Sequence, residues 1–276
     1  NILGAETHFK SIGSDSLEVT ISVYRQCTDY TSSLVMTPPY LSSDSCSSAY
    51  FYNNSVLISS KVEDITPVCV SQLKPCAISG GNGKGTPQIP IGVERHTYIY
   101  HFYIGSLSSN CCWIKARWAI AGRSLNITTG YAVTNLNIHS WYNRCDNNSS
   151  PKFNSDPLIL KFAGQNVFYN IGAFDEDHDS LSYFMAEPLD GYYNSPWSKN
   201  YPLTCYGGNS PNPLSSPPSG FNLNPITGEI IFRPMQVQVT VLKFGVNEWR
   251  KINGVYALVG ITFRDLVLTV FNVSGN

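Results

Sequence analysis

The sequence predicts an all-β protein built as two tandem antiparallel β-sandwich domains braced by disulfides. Three observations carry that expectation. Charged residues make up only 13 % of the 276 residues, against about 25 % in an average soluble domain, so good helix formers are scarce while Ser, Asn and Thr are plentiful. Apolar and polar residues alternate along many short runs, and no long segment shows a capped 3.6-residue apolar period. Eight cysteines are spread through this low-charge chain.

Residues 17–24 (LEVTISVY) alternate as a half-buried strand does. A strand is also expected at 55–62. Residues 97–104 form a dense β-branched and aromatic run, which predicts a strand buried on both faces. Residues 113–120 follow after a Ser/Asn turn, which predicts a hairpin with that strand. Further strands are expected at 131–138, 157–162, 166–170, 181–186, 229–233, 237–246 and 255–271. The run 255–273 reads as a strand of its own domain, or alternatively as one donated to a neighbour. Loops near 28–50 and 190–220 are long enough to be functional or individually packed. The polar, Pro-punctuated segment 145–157 reads as a linker. It divides the chain into domains 1–150 and 151–276, lengths that suit sandwiches.

Lys and Arg total 18, Asp and Glu 19, for a net charge of −1. That balance argues against nucleic acid and against a basic membrane-binding face. No apolar run is long enough to span a bilayer as a helix. The chain opens at Asn1 with no leader pattern, as a mature or trimmed exported form would.

The cysteines are Cys27, Cys46, Cys69, Cys76, Cys111, Cys112, Cys145 and Cys205. No spacing fits zinc, so they predict disulfides in an oxidising compartment. Cys69 and Cys76 flank a short loop they could close. Adjacent Cys111 and Cys112 point to opposite faces if on a strand, and so take different partners. Cys205 stands alone in the second half, with Cys145 its nearest candidate, and that bond would staple the halves together.

In the run 175–183 (DEDHDSLSY), Asp175, Asp177 and Asp179 alternate in a turn. Converging hard oxygens suit Ca²⁺; a solvated acidic turn is the other reading. Residues 224–234 read as a turn and strand, with Gly228 supplying a positive φ. The glycine-rich stretch 80–85 lacks the Gly-Lys-Ser/Thr and helix of a phosphate loop. The five histidines form no catalytic or metal motif, and no nucleophile elbow occurs, so no enzyme is expected. Tyr192, Tyr193, Trp197, Tyr201 and Tyr206 crowd one Pro/Gly/Asn-rich loop. They either stack on sugar faces or pack the loop onto its own domain.

Gly4-Ala5-Glu6-Thr7-His8-Phe9-Lys10, followed by residues 17–27 (LEVTISVYRQC), resembles the mature N-terminus of large surface proteins of gliding Bacteroidetes-type bacteria. The resemblance continues through Ile65-Thr66-Pro67-Val68-Cys69, Gly92 to Tyr98 and Cys112-Trp113. It ends with Asp175–Tyr183, similar to D-x-D-G-D-S-L-x-Y, and Asn224–Pro234, similar to P-x-T-G-x-I-x-x-x-P. Two departures stand out: residues 121–124 replace a Cys-Cys-Arg-Asn, which would relocate one disulfide to Cys111, and His178 replaces the glycine of the acidic motif. The resemblance implies immunoglobulin-like domains exported to the bacterial surface by type IX secretion. It also implies an adhesin-like or gliding-associated role, with Ser16 and Ser180 in Asp-Ser-Leu contexts as O-glycosylation candidates. The expected function is thus a non-enzymatic surface adhesin or extracellular fibre subunit, polymerising with its own copies or other surface subunits. A carbohydrate-binding module is the second reading and a secreted hydrolase the third.

Overall fold

The computed structural model describes residues 2–27, 34, 37–43, 55–67, 76, 92–108, 110–123, 127–130, 135–157, 159–188 and 193–272. Among them the regular structure is entirely β, and no helix is long and apolar enough to cross a membrane.

One wing of the main sheet is built from β1 (Ile2–Ser11), β2 (Ser16–Gln26), β4 (Ser55–Asp64) and β5 (Val93–Tyr103), all antiparallel, in the order β1-β2-β5-β4. The other wing is β3 (Tyr40–Ser42), β6 (Trp113–Ala121) and β7 (Asn135–Asn143). The expected hairpin between 97–104 and 113–120 does not form. β5 pairs with β2 and β4, while β6 pairs with β3 and β7, so the chain crosses from one wing to the other between them.

Alternation explains why the wings close on each other. On β2, Leu17, Val19, Ile21 and Val23 share one face and are fully buried. They join Phe9, Tyr100, Phe102, Ile114, Trp118 and Ile138 in one apolar cluster fed by both wings. β5 corrects an expectation. Its Tyr98, Tyr100 and Phe102 point inward, but Thr97, Ile99 and His101 are only half-buried, so it is a one-sided strand.

The C-terminal hairpin joins the halves. β15 (Gln238–Ile252) and β16 (Val255–Phe271) are linked by Asn253-Gly254, both at positive φ, as a two-residue hairpin turn requires. The other edge of β16 meets β7 at Gly260 and Ile261, β1 at Arg264 to Leu266, and, in parallel, β9 (Ile159–Phe162). β12 (Ser180–Ala186) extends the sheet beyond β15. On β16, Ile261 and Phe263 pack with the first cluster. Leu266, Leu268 and Val270 enter a second cluster with Leu242, Phe244, Ile230 and Phe232. Odd and even positions thus serve different cores, which is why the run reads as almost continuously apolar. The second core is closed by β10 (Val167–Asn170), β13 (Asn222–Leu223) and β14 (Glu229–Phe232). Short β8 (Lys152–Phe153) pairs with β11 (Ala173–Phe174). Gly228 has φ 71°, as the turn before β14 demands.

At Gly4, β1 lies close against β16. A Cβ there would lie 2.3 Å from the Asp265 carbonyl oxygen and 2.9 Å from Leu266 Cα. Both are backbone atoms of a strand fixed on both edges, so neither can yield. Gly4→Ala is expected to lower the unfolding free energy by about 1–3 kcal/mol, read as a shift of the urea midpoint.

The cysteines depart from two expectations. Cys76 pairs with Cys27 and not with Cys69, because Cys27 follows β2 beside the residues that precede β5. Cys145 pairs with Cys112 across the ends of β6 and β7. Cys205 is therefore a buried free thiol, and there is no covalent staple to Cys145. Burial pushes that thiol up to about 12. Cys111 is disulfide-bonded, and its neighbour Cys112 has a different partner. Cys46 and Cys69 lie outside the described residues.

Candidate functional site

The acidic turn lies between β11 and β12, where His178 at φ 63° lets the chain double back. The Asp179 amide donates to Asp175 Oδ1 (2.9 Å) and so closes the loop. Asp175 is 5 % exposed, and its Oδ2 is buried and accepts no hydrogen bond. Asp177 points elsewhere: its Oδ2 accepts from the Ser149 amide (2.6 Å) and lies 3.2 Å from Arg250. The Asp179 carboxylate is gripped by both arms of the Arg250 guanidinium, at 2.8 and 2.6 Å.

The third member of the cluster comes from a distant part of the chain. Glu248 on β15 is fully buried, and one of its carboxylate oxygens lies within 4.8 Å of an oxygen of Asp175 and of one of Asp179. Its Oε2 accepts from Asn148 Nδ2 (2.5 Å) and its Oε1 from Thr262 Oγ1 (3.3 Å). Two local features make room for it. The β15–β16 register shifts between Glu248 and Trp249, and a bulge of this kind re-aims a side chain. Directly across lies Gly260, where a Cβ would sit 2.4 Å from Glu248 Oε1. Arg250 also donates to the Asp146 carbonyl (2.5 Å) and to Asn148 Oδ1 (2.9 Å). The cluster thereby ties the segment after β7 to the C-terminal hairpin.

The electrostatics are unbalanced. Burial, together with the charges of Asp179 and Asp177, raises Asp175 above the usual carboxylate range. Burial raises Glu248 far more, with Asp175 and Asp179 adding to it. Among the described residues neither Asp175 nor Glu248 forms an ion pair.

A second buried ionic site crosses the two halves. Glu6 on β1 faces Arg264 on β16 and accepts from its Nε (2.6 Å) and from the Tyr24 hydroxyl (2.8 Å). Arg264 also donates to the Ser155 carbonyl (2.6 Å), and its guanidinium lies 3.9 Å from the Phe153 ring centroid. Burial works against the Glu6 charge, but Arg264, His8 and Tyr24 outweigh it and hold the carboxyl at about 2.

The aromatic loop is mostly turned inward. Tyr192 lies outside the described residues. Tyr193 donates its phenol proton to the Val241 carbonyl (2.5 Å), and Tyr201 is buried. Trp197 is half-buried and bonds Thr204 (3.4 Å). Of these four, Tyr206 alone is exposed. A cleft of about 940 Å³ does open in this half, but its lining includes Phe184, Asn200, Asn209, Leu214 and Phe221. Ser180 is exposed and Ser16 half-buried. No family model, curated protein or solved structure matches the chain.

Sequence reasoning missed Glu248, seventy or so residues from the acidic turn by a rough count along a regular strand. The one local signal was a lone Glu in the apolar run of β15, since buried carboxylates seldom sit in cores without a task.

Proposed function

We propose that this chain is a non-enzymatic, exported structural or adhesive protein of a bacterial surface, whose copies associate through the edge of β4 that faces away from β5. The observation that carries this reading is the strand itself. Among the described residues β4 pairs only with β5. Val56 is 61 % exposed, Leu57 and Ile58 50 % each and Val62 42 %. An open apolar edge of this length templates strand pairing with another chain. The occupant that fits is a second copy. In an antiparallel β4–β4 pair centred on Ser59-Ser60, Leu57 of each copy faces Val62 of the other, and Val56 faces Glu63.

Other features support the setting. Disulfides Cys27–Cys76 and Cys112–Cys145 fit an oxidising, extracellular site. The two apolar clusters that share β16 support the finer fold reading of two sandwich-like units, immunoglobulin-like as in the gliding-associated proteins the sequence resembles. Leu57→Lys with Val62→Lys sets two exposed positions that face each other across the pair to like charge. Sedimentation should then show a monomer where the native chain self-associates, with unchanged circular dichroism; equal association of both proteins would overturn the reading.

The cleft favours a second reading, glycan binding. Its amides at Asn200, Asn209 and Asn222 and its exposed apolar side chain at Leu214 are groups that hold a polar ligand such as a sugar. A glycan array tests it, and silence across the array rejects it.

A further inference from the structure

We propose that Asp175, Asp179 and Glu248 form a divalent-cation site, with Ca²⁺ the preferred guest, clamping β15 and the segment after β7 onto the acidic turn. It is independent of the copy-to-copy association above.

The argument begins with an inventory of charge. Four carboxylates, those of Asp175, Asp177, Asp179 and Glu248, crowd one end of β15 and β12. Arg250 is the cation among them, and it is committed to Asp179 and Asp177. Asp175 and Glu248 remain, both nearly or wholly buried. An unpaired buried charge is costly, so such groups are neutralised by a proton or by a metal.

Three geometric facts favour the metal. Asp175 Oδ2 is a buried oxygen without a hydrogen-bond donor, on a side chain otherwise pinned through Oδ1. One carboxylate oxygen from each of the three residues lies within 4.8 Å of the other two. Two oxygens on opposite sides of one Ca²⁺ lie roughly 4.6–5.2 Å apart, given Ca–O bonds of about 2.3–2.6 Å. Finally, Gly260 keeps open the space where Glu248 turns in, and Asn148 and Thr262 steer its carboxylate by hydrogen bonds. All the donors are hard oxygens, with neither His nor Cys among them, which selects against Zn²⁺. Few protein ligands and an irregular donor set suit the flexible shell of Ca²⁺ better than the strict octahedron of Mg²⁺, with water completing the coordination.

The site differs from a simple reading of the acidic turn, since Asp177 is turned away and Glu248 takes its place. The test uses that difference. The full chain, freed of metal by a chelator, is titrated with CaCl₂ by calorimetry and melted with and without about 10 mM Ca²⁺. Binding should raise the melting temperature by about 5 °C or more. Asp175→Asn should abolish both heat and shift, since its amide can still accept from the Asp179 amide. Glu248→Gln, whose carbonyl can accept from Asn148 while its NH2 donates to the Thr262 hydroxyl, should do the same and serves if the first variant does not fold. Asp177→Asn should leave binding intact. Absence of heat and shift in the native chain overturns the proposal. So does loss of binding in Asp177→Asn with retention in Asp175→Asn or Glu248→Gln. An equal response to MgCl₂ overturns the preference for calcium.

Discussion

Glu6→Gln is expected to destabilise the protein by about 3–5 kcal/mol, the cost of leaving a buried guanidinium without its carboxylate. Arg264 is 1 % exposed and sits on the strand that both cores share. Its remaining partners, the Ser155 carbonyl and the Phe153 ring, carry no net charge. The pair itself need not add much stability, because removing both ions from water offsets much of their attraction. A double variant, Glu6→Gln with Arg264→Met, should therefore recover a large part of the loss. Urea unfolding followed by tryptophan fluorescence measures both. A single-variant loss under about 1 kcal/mol would mean that water reaches Arg264.

The second large effect is acid sensitivity at His139. Its ring lies edge-on to Trp141 at 4.5 Å and near Phe263 at 4.9 Å. Burial, and then the charges of Lys243, Lys115 and Arg117, lower its pKa from 6.5 to about 3. The folded form refuses a proton that the unfolded chain accepts. The contribution is thus full above the unfolded value of 6.5 and is lost as pH falls towards 3. At pH 4 the loss is about 3 kcal/mol. Glu6 acts in the same direction, between 4.5 and 2. Glu248 and Asp175, both raised, act in the opposite direction. The decisive quantity is therefore the difference between the native chain and His139→Phe. Relative to the native chain, the variant should gain stability steadily between pH 7 and pH 4. A difference independent of pH would contradict a neutral buried imidazole.

Local pattern made much of this fold legible. β2, β6, β12, β14 and β16 lie close to where alternation and β-branched runs place them. What stayed hidden is pairing. That β6 joins β7 rather than β5, and that β16 meets β1, β7 and β9, depends on register between distant segments, which no window of sequence encodes. The cysteines failed for the same reason: proximity in sequence favoured Cys69 for Cys76 and Cys145 for Cys205, whereas sheet geometry chose Cys27 and Cys112 as the partners of Cys76 and Cys145. The strand expected at 237–246 runs on to Ile252, up to the Asn253-Gly254 turn, a hairpin signal that went unread. The acidic turn was legible as a cluster but not in its membership, because the fold turns Asp177 to Ser149 and brings in Glu248. The low charge content also reads differently now. Glu6, Arg123, Lys243, Glu248, Arg264 and Asp265 are all buried, so part of the scarce charge lies inside the protein.

Electron-microscope imaging of the purified chain, with the Leu57→Lys, Val62→Lys variant beside it, tests copy-to-copy association through β4 most directly. Paired or chained copies joined edge to edge, absent from the variant, are the expected result. Isolated single particles of the native chain at every concentration would contradict it.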